Sequence, residues 1–225
     1  MSSRDNHLWL QLWRDRQTDF HQETTNQFLA RFWPGLNCDY GSRVFVPLCG
    51  KSLDMIWLAK QGHEVIGVEL SPIAVKEFFK ENHLKPVRRR LKKFDLWTHG
   101  NISILCGDYF SLKKSDLGHI DMVYDRAALT ALPEDVRRLY VNQLRLIVSQ
   151  TTDVFLLTIE DMEYDKALPQ VPSVDEEIKA LYAEDFEINL AHSESMREYD
   201  RESPGLSTVY TEHKVYQLSK KSYPK

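Results

Sequence analysis

Apolar and polar positions along the 225-residue chain fall into short, alternating blocks. Val44-Phe45-Val46 and Val65-Ile66-Gly67-Val68 are unbroken apolar runs of the kind that fill strands buried on both faces. Between them, residues 53–61 carry apolar side chains at helical spacing, and Gly62 suits the left-handed cap that ends such a helix. Ser71 before Pro72 opens a second helix over 73–82, because the hydroxyl can cap free amides and the proline lacks an N–H that would go unused. Residues 102–105 and 120–124 read as the third and fourth strands. Pro133 then begins a helix with Val136, Leu139, Tyr140, Leu144, Ile147 and Val148 on one face, and 154–159 form a fifth buried strand. Ser173-Val174-Asp175-Glu176 is a capping box opening a helix through Tyr182, and the last two strands lie near 186–190 and 209–218.

This alternation predicts an α/β fold: a seven-stranded, mostly parallel, Rossmann-like sheet with helices on both faces, forming a single domain over 1–225. Ahead of the sheet, Leu8-Trp9-Leu10, Leu12-Trp13, Phe28-Leu29 and Phe32-Trp33 recur at helical intervals around a polar segment at 18–23. They predict an N-terminal helical cover within 1–40 that folds over the ligand end and excludes water; for Trp9 and Trp33 ordinary core packing is the competing reading.

In an open parallel sheet, ligands bind beyond the carboxyl ends of the strands, so residues there are the candidates for chemistry. Gly50 lets backbone approach a ligand, and the helix starting near Ser52 points free amides into the same space. Glu69 follows Gly50 by nineteen residues, close to the spacing at which an acid meets ribose hydroxyls. The turn holds one glycine, so the full dinucleotide fingerprint is missing. S-adenosylmethionine, which carries ribose and adenine but no phosphate, fits this reduced motif better than NAD. Gly50-Lys51-Ser52 also resembles the end of a phosphate-binding loop, but Phe45 stands where that loop needs its first glycine, and Lys51 is then solvated or bonded to backbone. After the third strand, Asp108 is placed to accept from an adenine amino group and Tyr109 to lie against its ring, or else to cap a helix and to pack.

The 29 basic and 33 acidic residues leave a formal charge of −4, which gives no general attraction to a nucleic-acid backbone and favours a small-molecule partner. The one basic run, Arg88-Arg89-Arg90-Leu91-Lys92-Lys93, reads as a solvated face or loop. The acids of Glu160-Asp161-Met162-Glu163-Tyr164-Asp165 likewise read as a solvated loop. Cys38, Cys49 and Cys106 lack C-x-x-C spacing, so neither a disulfide framework nor a common zinc site is expected, and the cytosol is the expected compartment. No signal peptide or membrane-length apolar stretch is read, so no membrane partner is expected.

Beyond these local readings, the chain resembles the thiopurine S-methyltransferase family along nearly its whole length. The resemblance is carried by Trp9-Leu10-Gln11-Leu12-Trp13, Asp19-Phe20-His21-Gln22, Val46-Pro47-Leu48-Cys49-Gly50-Lys51-Ser52, Gly62-His63-Glu64-Val65-Ile66-Gly67-Val68-Glu69-Leu70-Ser71, Gly100-Asn101-Ile102-Ser103 and Asp125-Arg126-Ala127-Ala128-Leu129. It implies methyl transfer from S-adenosyl-L-methionine to the sulfur of thiopurines or other aromatic and heterocyclic thiols. Matching positions imply Trp13, Leu48, Glu69 and Arg126 as cofactor contacts, with Trp9 nearby and Asp108 and Tyr109 at the adenine. Phe20 matches an acceptor-site residue. Two arginines near the acceptor sulfur are implied: Arg126 matches one, and Arg201, or else Arg197, stands for the other. The resemblance also implies selenium or tellurium compounds as an alternative acceptor class. An inactive module that only binds S-adenosylmethionine is the reading from another class, and no metal is called for. The expected working form is a monomer.

Overall fold

The computed structural model describes residues 3–18, 20–162, 173–199 and 208–221. Helices α1 (Ser3–Asp15) and α2 (Gln27–Phe32) come first, followed by β1 (Arg43–Val46), α3 (Asp54–Lys60), β2 (Glu64–Glu69) and α4 (Pro72–Glu81). Strands β3 (Val87–Arg90), β4 (Asp95–His99) and β5 (Ile102–Cys106) precede the short α5 (Lys114–Leu117), then β6 (Met122–Arg126) and α6 (Glu134–Ile147). The chain continues through β7 (Asp153–Met162), α7 (Val174–Tyr182), β8 (Phe186–Tyr199) and β9 (Thr208–Lys220). These described residues gather into two compact units, one drawn from within 1–124 and 142–152 and one from within 125–141 and 153–221.

The first unit orders its strands β3-β4-β5-β2-β1-β6. Strand β1 pairs in parallel with β2 and β6, and β2 in parallel with β5, which brings the carboxyl ends of these strands to one edge. Val44, Phe45, Val68 and Ile104 are fully buried, as their unbroken apolar runs predict. The second unit contains the antiparallel set β7-β9-β8, with β9 paired to both neighbours. Its α7 begins with the capping box read from sequence, Ser173 Oγ accepting from the Glu176 amide and the Glu176 carboxylate accepting from the Ser173 amide.

The α/β class holds, but the described residues form nine strands and not seven. The two additional ones, β3 and β4, form an antiparallel hairpin that joins the sheet through β4 and β5. Every β3 residue is exposed and every β4 residue half-buried, so neither strand shows the apolar alternation by which strands are recognised. The basic run 88–90 is therefore an edge strand, consistent with the use of charge to discourage further pairing. Arg88 and Arg90 both pair with Asp95 across the hairpin, and Arg88 lies over the Trp97 ring at 5.0 Å.

Strand β8 runs to Tyr199, well past the expected 186–190, because its outer half pairs with β9 through largely polar residues, while β9 itself lies close to the expected 209–218. Glu160 belongs to β7 and not to a solvated loop; it is half-buried, with Oε1 buried and unpartnered, and burial raises its pKa. The loop residues 163–172 lie outside the described residues. Trp33 is core, 4% exposed, and donates its indole N–H to the buried His63 Nε2 at 3.0 Å. All three cysteines are unpaired. No described helix is long and apolar enough to cross a membrane.

Candidate active site

Strand β2 ends at Glu69, which is 6% exposed. The Gly50 amide donates to Glu69 Oε2 at 2.9 Å and the Ser71 amide to Oε1 at 2.6 Å. Gly50 takes φ +53 and Leu48 φ +46, so the chain after β1 makes a left-handed turn on either side of the buried Cys49. Gly107, just past β5, donates to the Glu69 carbonyl at 2.8 Å and ties the next strand end to the same place. Burial pushes the Glu69 carboxyl up to about 7, while the amides of Ser71, Gly50 and Leu70 pull the other way. A carboxylate has about four acceptor directions. Its backbone partners orient this one and leave capacity for donor groups of a ligand.

Trp9 and Trp13 lie four residues apart on α1 and so share a face. Phe20 meets both rings edge-on, with centroids 5.6 and 5.5 Å away. A Cβ placed on Gly50 would lie 3.3 Å from the Trp13 ring, so the indole sits directly over the turn that holds Glu69. Trp13 is 4% exposed and Phe20 46%, which gives the aromatic group a buried floor and an open outer side.

Asp108 sits beyond β5 and uses its carboxylate to accept from the Phe110 amide at 3.1 Å, capping the short turn 109–111. Tyr109 is 2% exposed and meets Phe110 edge-on. The capping and packing readings of these two residues are thus present in the structure. Lys51 is neither solvated nor bonded to backbone: its ammonium pairs with Glu77 at 3.2 Å and Glu81 at 2.8 Å on α4. Burial alone would lower its pKa, and the two carboxylates outweigh that. No phosphate-binding lysine is left in the turn. Among the described residues no cluster of His, Cys, Asp and Glu could hold a metal ion.

In the second unit, Arg126 closes β6 and is half-buried. Its neighbour Asp125 is fully buried and accepts from the Tyr140 hydroxyl at 2.6 Å and from the Ala128 amide at 3.0 Å. Ala127 takes φ +57, a left-handed conformation costing about 1–2 kcal/mol for a residue with a Cβ. Arg201 lies outside the described residues, and Arg197 falls in β8 opposite Tyr210.

The family model for thiopurine S-methyltransferase matches residues 4–221. The chain belongs to that family. It is 61% identical over 221 residues to the thiopurine S-methyltransferase of Stutzerimonas stutzeri, covering 98% of this chain and 93% of that one. With the thiopurine S-methyltransferase of Nitrosospira multiformis it shares 45% over 182 residues, 81% of this chain and 83% of the relative. Among solved structures, the 1,6-didemethyltoxoflavin-N1-methyltransferase of Burkholderia thailandensis, with S-adenosylhomocysteine bound, superposes with a TM-score of 0.60. That pair is 13% identical over 95% of this chain and 87% of the other, a likeness of fold alone. As a thiopurine S-methyltransferase family member, the chain is an S-adenosyl-L-methionine-dependent methyltransferase.

The donor set suits that cofactor. A buried carboxylate held by backbone amides can accept from vicinal hydroxyls, and the Gly50 turn beneath Trp13 would let a ligand approach backbone and indole closely. Two carboxylates in this family fold do work that the sequence did not disclose. Asp54, 1% exposed, accepts from the Asn26 amide and from the Tyr124 hydroxyl, both at 2.8 Å. Asn26 caps α2, so Asp54 joins the N-terminal segment to the start of α3 and to β6. The other is Asp125. An isolated acid at a helix start or strand end gives no sequence signal of the phenols that meet these two, because Tyr124 and Tyr140 come from other elements.

Proposed function

We propose that this chain transfers a methyl group from S-adenosyl-L-methionine to the sulfur of a thiopurine or another aromatic or heterocyclic thiol. The observation that carries the reading is the Glu69 carboxylate held by the Gly50 and Ser71 amides beneath the Trp13 ring, in a chain matched almost end to end by this family. Bound donor supplies an electrophilic methyl carbon on a positively charged sulfur.

The residues of the chain do the rest by position. Glu69 takes the ribose hydroxyls, with Leu48 and Gly50 shaping the adjoining turn. Trp9 and Trp13 keep water from the donor, and Phe20, edge-on to both, offers its open side to the acceptor ring. Asp108 and Tyr109 serve the adenine side. Displacement at carbon needs donor, carbon and acceptor in line, so orientation supplies much of the rate. Aromatic thiols ionise readily, giving the proton to water before attack, so no strong base is required. Arg126 favours the thiolate by charge and also contacts the donor, and Arg201 is the second arginine for the acceptor. The working unit is one chain in the cytosol, a compartment that suits three unpaired cysteines.

The test pairs calorimetry with S-adenosylhomocysteine and product detection with a thiopurine, a simple aromatic thiol and a selenium compound as acceptors. Binding together with methylation of the thiopurine and the aromatic thiol is the expected result. Methylation of the selenium compound alone would move the chain to metalloid acceptors, and binding without any transfer would make it a binding module.

A further inference from the structure

We propose that Asp125 and Tyr140 are positioning residues that lock the turn after β6 and thereby hold Arg126 in place for the acceptor sulfur. The inference rests on the role given to Arg126 above. Asp125 and Tyr140 are both 0% exposed. Asp125 Oδ2 accepts from the Tyr140 hydroxyl at 2.6 Å, while Oδ1 accepts from the Ala128 and Leu129 amides at 3.0 and 3.4 Å. On the other side of Arg126, left-handed Ala127 donates its amide to the Leu157 carbonyl of β7 at 2.8 Å. Arg126 therefore sits between two residues whose polar groups are fixed by partners from α6, from β7 and from the turn itself.

Strain of this kind persists where surrounding contacts over-determine the backbone, and such places cluster at functional sites. A charge that must keep the acceptor ionised and aligned before attack acts best when its backbone is already ordered, because no reorganisation is then needed to meet the thiolate. The groups facing the carboxylate are the Tyr140 hydroxyl from α6 and the amides of 128 and 129, all of them donors. Only the ionised form of Asp125 accepts from all three. Burial pushes its carboxyl up to about 6, and the Tyr140 hydroxyl, with the two amides, restrains that rise. Loss of the hydroxyl therefore moves protonation, and with it loosening of the turn, toward neutral pH.

The experiment measures kcat against pH with an aromatic thiol, together with the KM for S-adenosylmethionine, in wild type, Tyr140→Phe, Asp125→Asn and Arg126→Ala. Tyr140→Phe keeps the ring and loses the donor. Its kcat should fall about tenfold near neutral pH, with donor KM rising by clearly less than that because Arg126 is one of several donor contacts, and the acid limb of its profile should shift to higher pH. Asp125→Asn, which cannot ionise, should lose the part of the acid limb that belongs to this carboxyl. A Tyr140→Phe enzyme with wild-type kcat and acid limb overturns the proposal, as does a kcat loss matched by equal loss of donor binding. Failure of both the 125 and 140 variants to fold makes the pair a stability element only and also overturns it. Full turnover in Arg126→Ala would instead sink the role of Arg126, whereas an inactive Arg126→Ala beside an unchanged Tyr140→Phe sinks the positioning claim alone.

Discussion

Glu69 and Asp125 are two buried carboxylates at strand ends, both pushed upward by burial, and they differ in what holds them. Glu69 is oriented by main-chain amides from the Gly50 turn and from Ser71, next to a turn where an added Cβ would touch only the Trp13 ring. Asp125 has its acceptors taken by a phenol from α6 and by the amides of its own turn. The buried phenol makes Asp125 a fastener between β6 and α6, whereas Glu69 is held by main-chain amides alone, beside a glycine turn that admits close approach. A motif match that marks an acid at a strand end does not tell these cases apart, and the list of partners does.

The sharpest break of this comparison is Glu69→Ala. Hydrogen bonds to a charged group contribute about 1.5–3 kcal/mol each, so affinity for S-adenosylhomocysteine should fall at least about 100-fold. Calorimetry at neutral pH reads this directly, and an affinity within about threefold of wild type would remove Glu69 from the site. Asp125→Ala should show the opposite profile. It strands a buried phenol hydroxyl and two amides, and should cost about 3 kcal/mol of stability in urea unfolding while donor affinity in the folded fraction falls far less than in Glu69→Ala.

Titration separates the pair more finely. The folded-state pKa of Glu69 stands at about 7, above its ordinary 4.5. Its linked contribution to stability is therefore complete below the unfolded value and is lost as pH rises through about 7. Ligand affinity should run the other way, because hydroxyl donors favour the ionised carboxylate. Affinity for S-adenosylhomocysteine should climb by up to about tenfold per pH unit on the acid side of that value and level off above it. Glu69→Gln should bind weakly and with no such slope, and an equally steep slope in that variant would assign the titration to another group.

The parallel core was legible because Val44–Val46 and 65–68 are apolar without interruption and because glycine, serine and proline punctuate the helices between strands. The meeting of Glu69 with the Gly50 turn was legible from their spacing. The β3–β4 hairpin was not, since its strands are held by edge pairing and by Arg88, Arg90 and Asp95, with no buried face to impose a period. Asp54 escaped for a related reason. Its partners, Asn26 and Tyr124, lie 28 and 70 residues away in sequence, and no local pattern encodes a contact of that range.

Lys51 gives the smallest expected effect and bears on the Gly50 turn itself. Adjacent to a glycine and followed by serine, it has the sequence look of a phosphate ligand, yet its ammonium is engaged by Glu77 and Glu81. Glu81 is half-exposed, with side-chain exposure of 50%, so solvent screens much of the attraction and the pair should contribute no more than about 1 kcal/mol. Lys51→Met keeps the aliphatic stem and removes the charge. It should lower the urea midpoint slightly, leave affinity for S-adenosylhomocysteine within about twofold, and confer no binding of nucleoside triphosphate that wild type lacks. If Lys51→Met instead lost the donor as thoroughly as Glu69→Ala, the ammonium would belong to the ligand. Glu69 and Lys51, on either side of the Gly50 contact, would then both face the ligand, and the ion pair to α4 would have to open on binding.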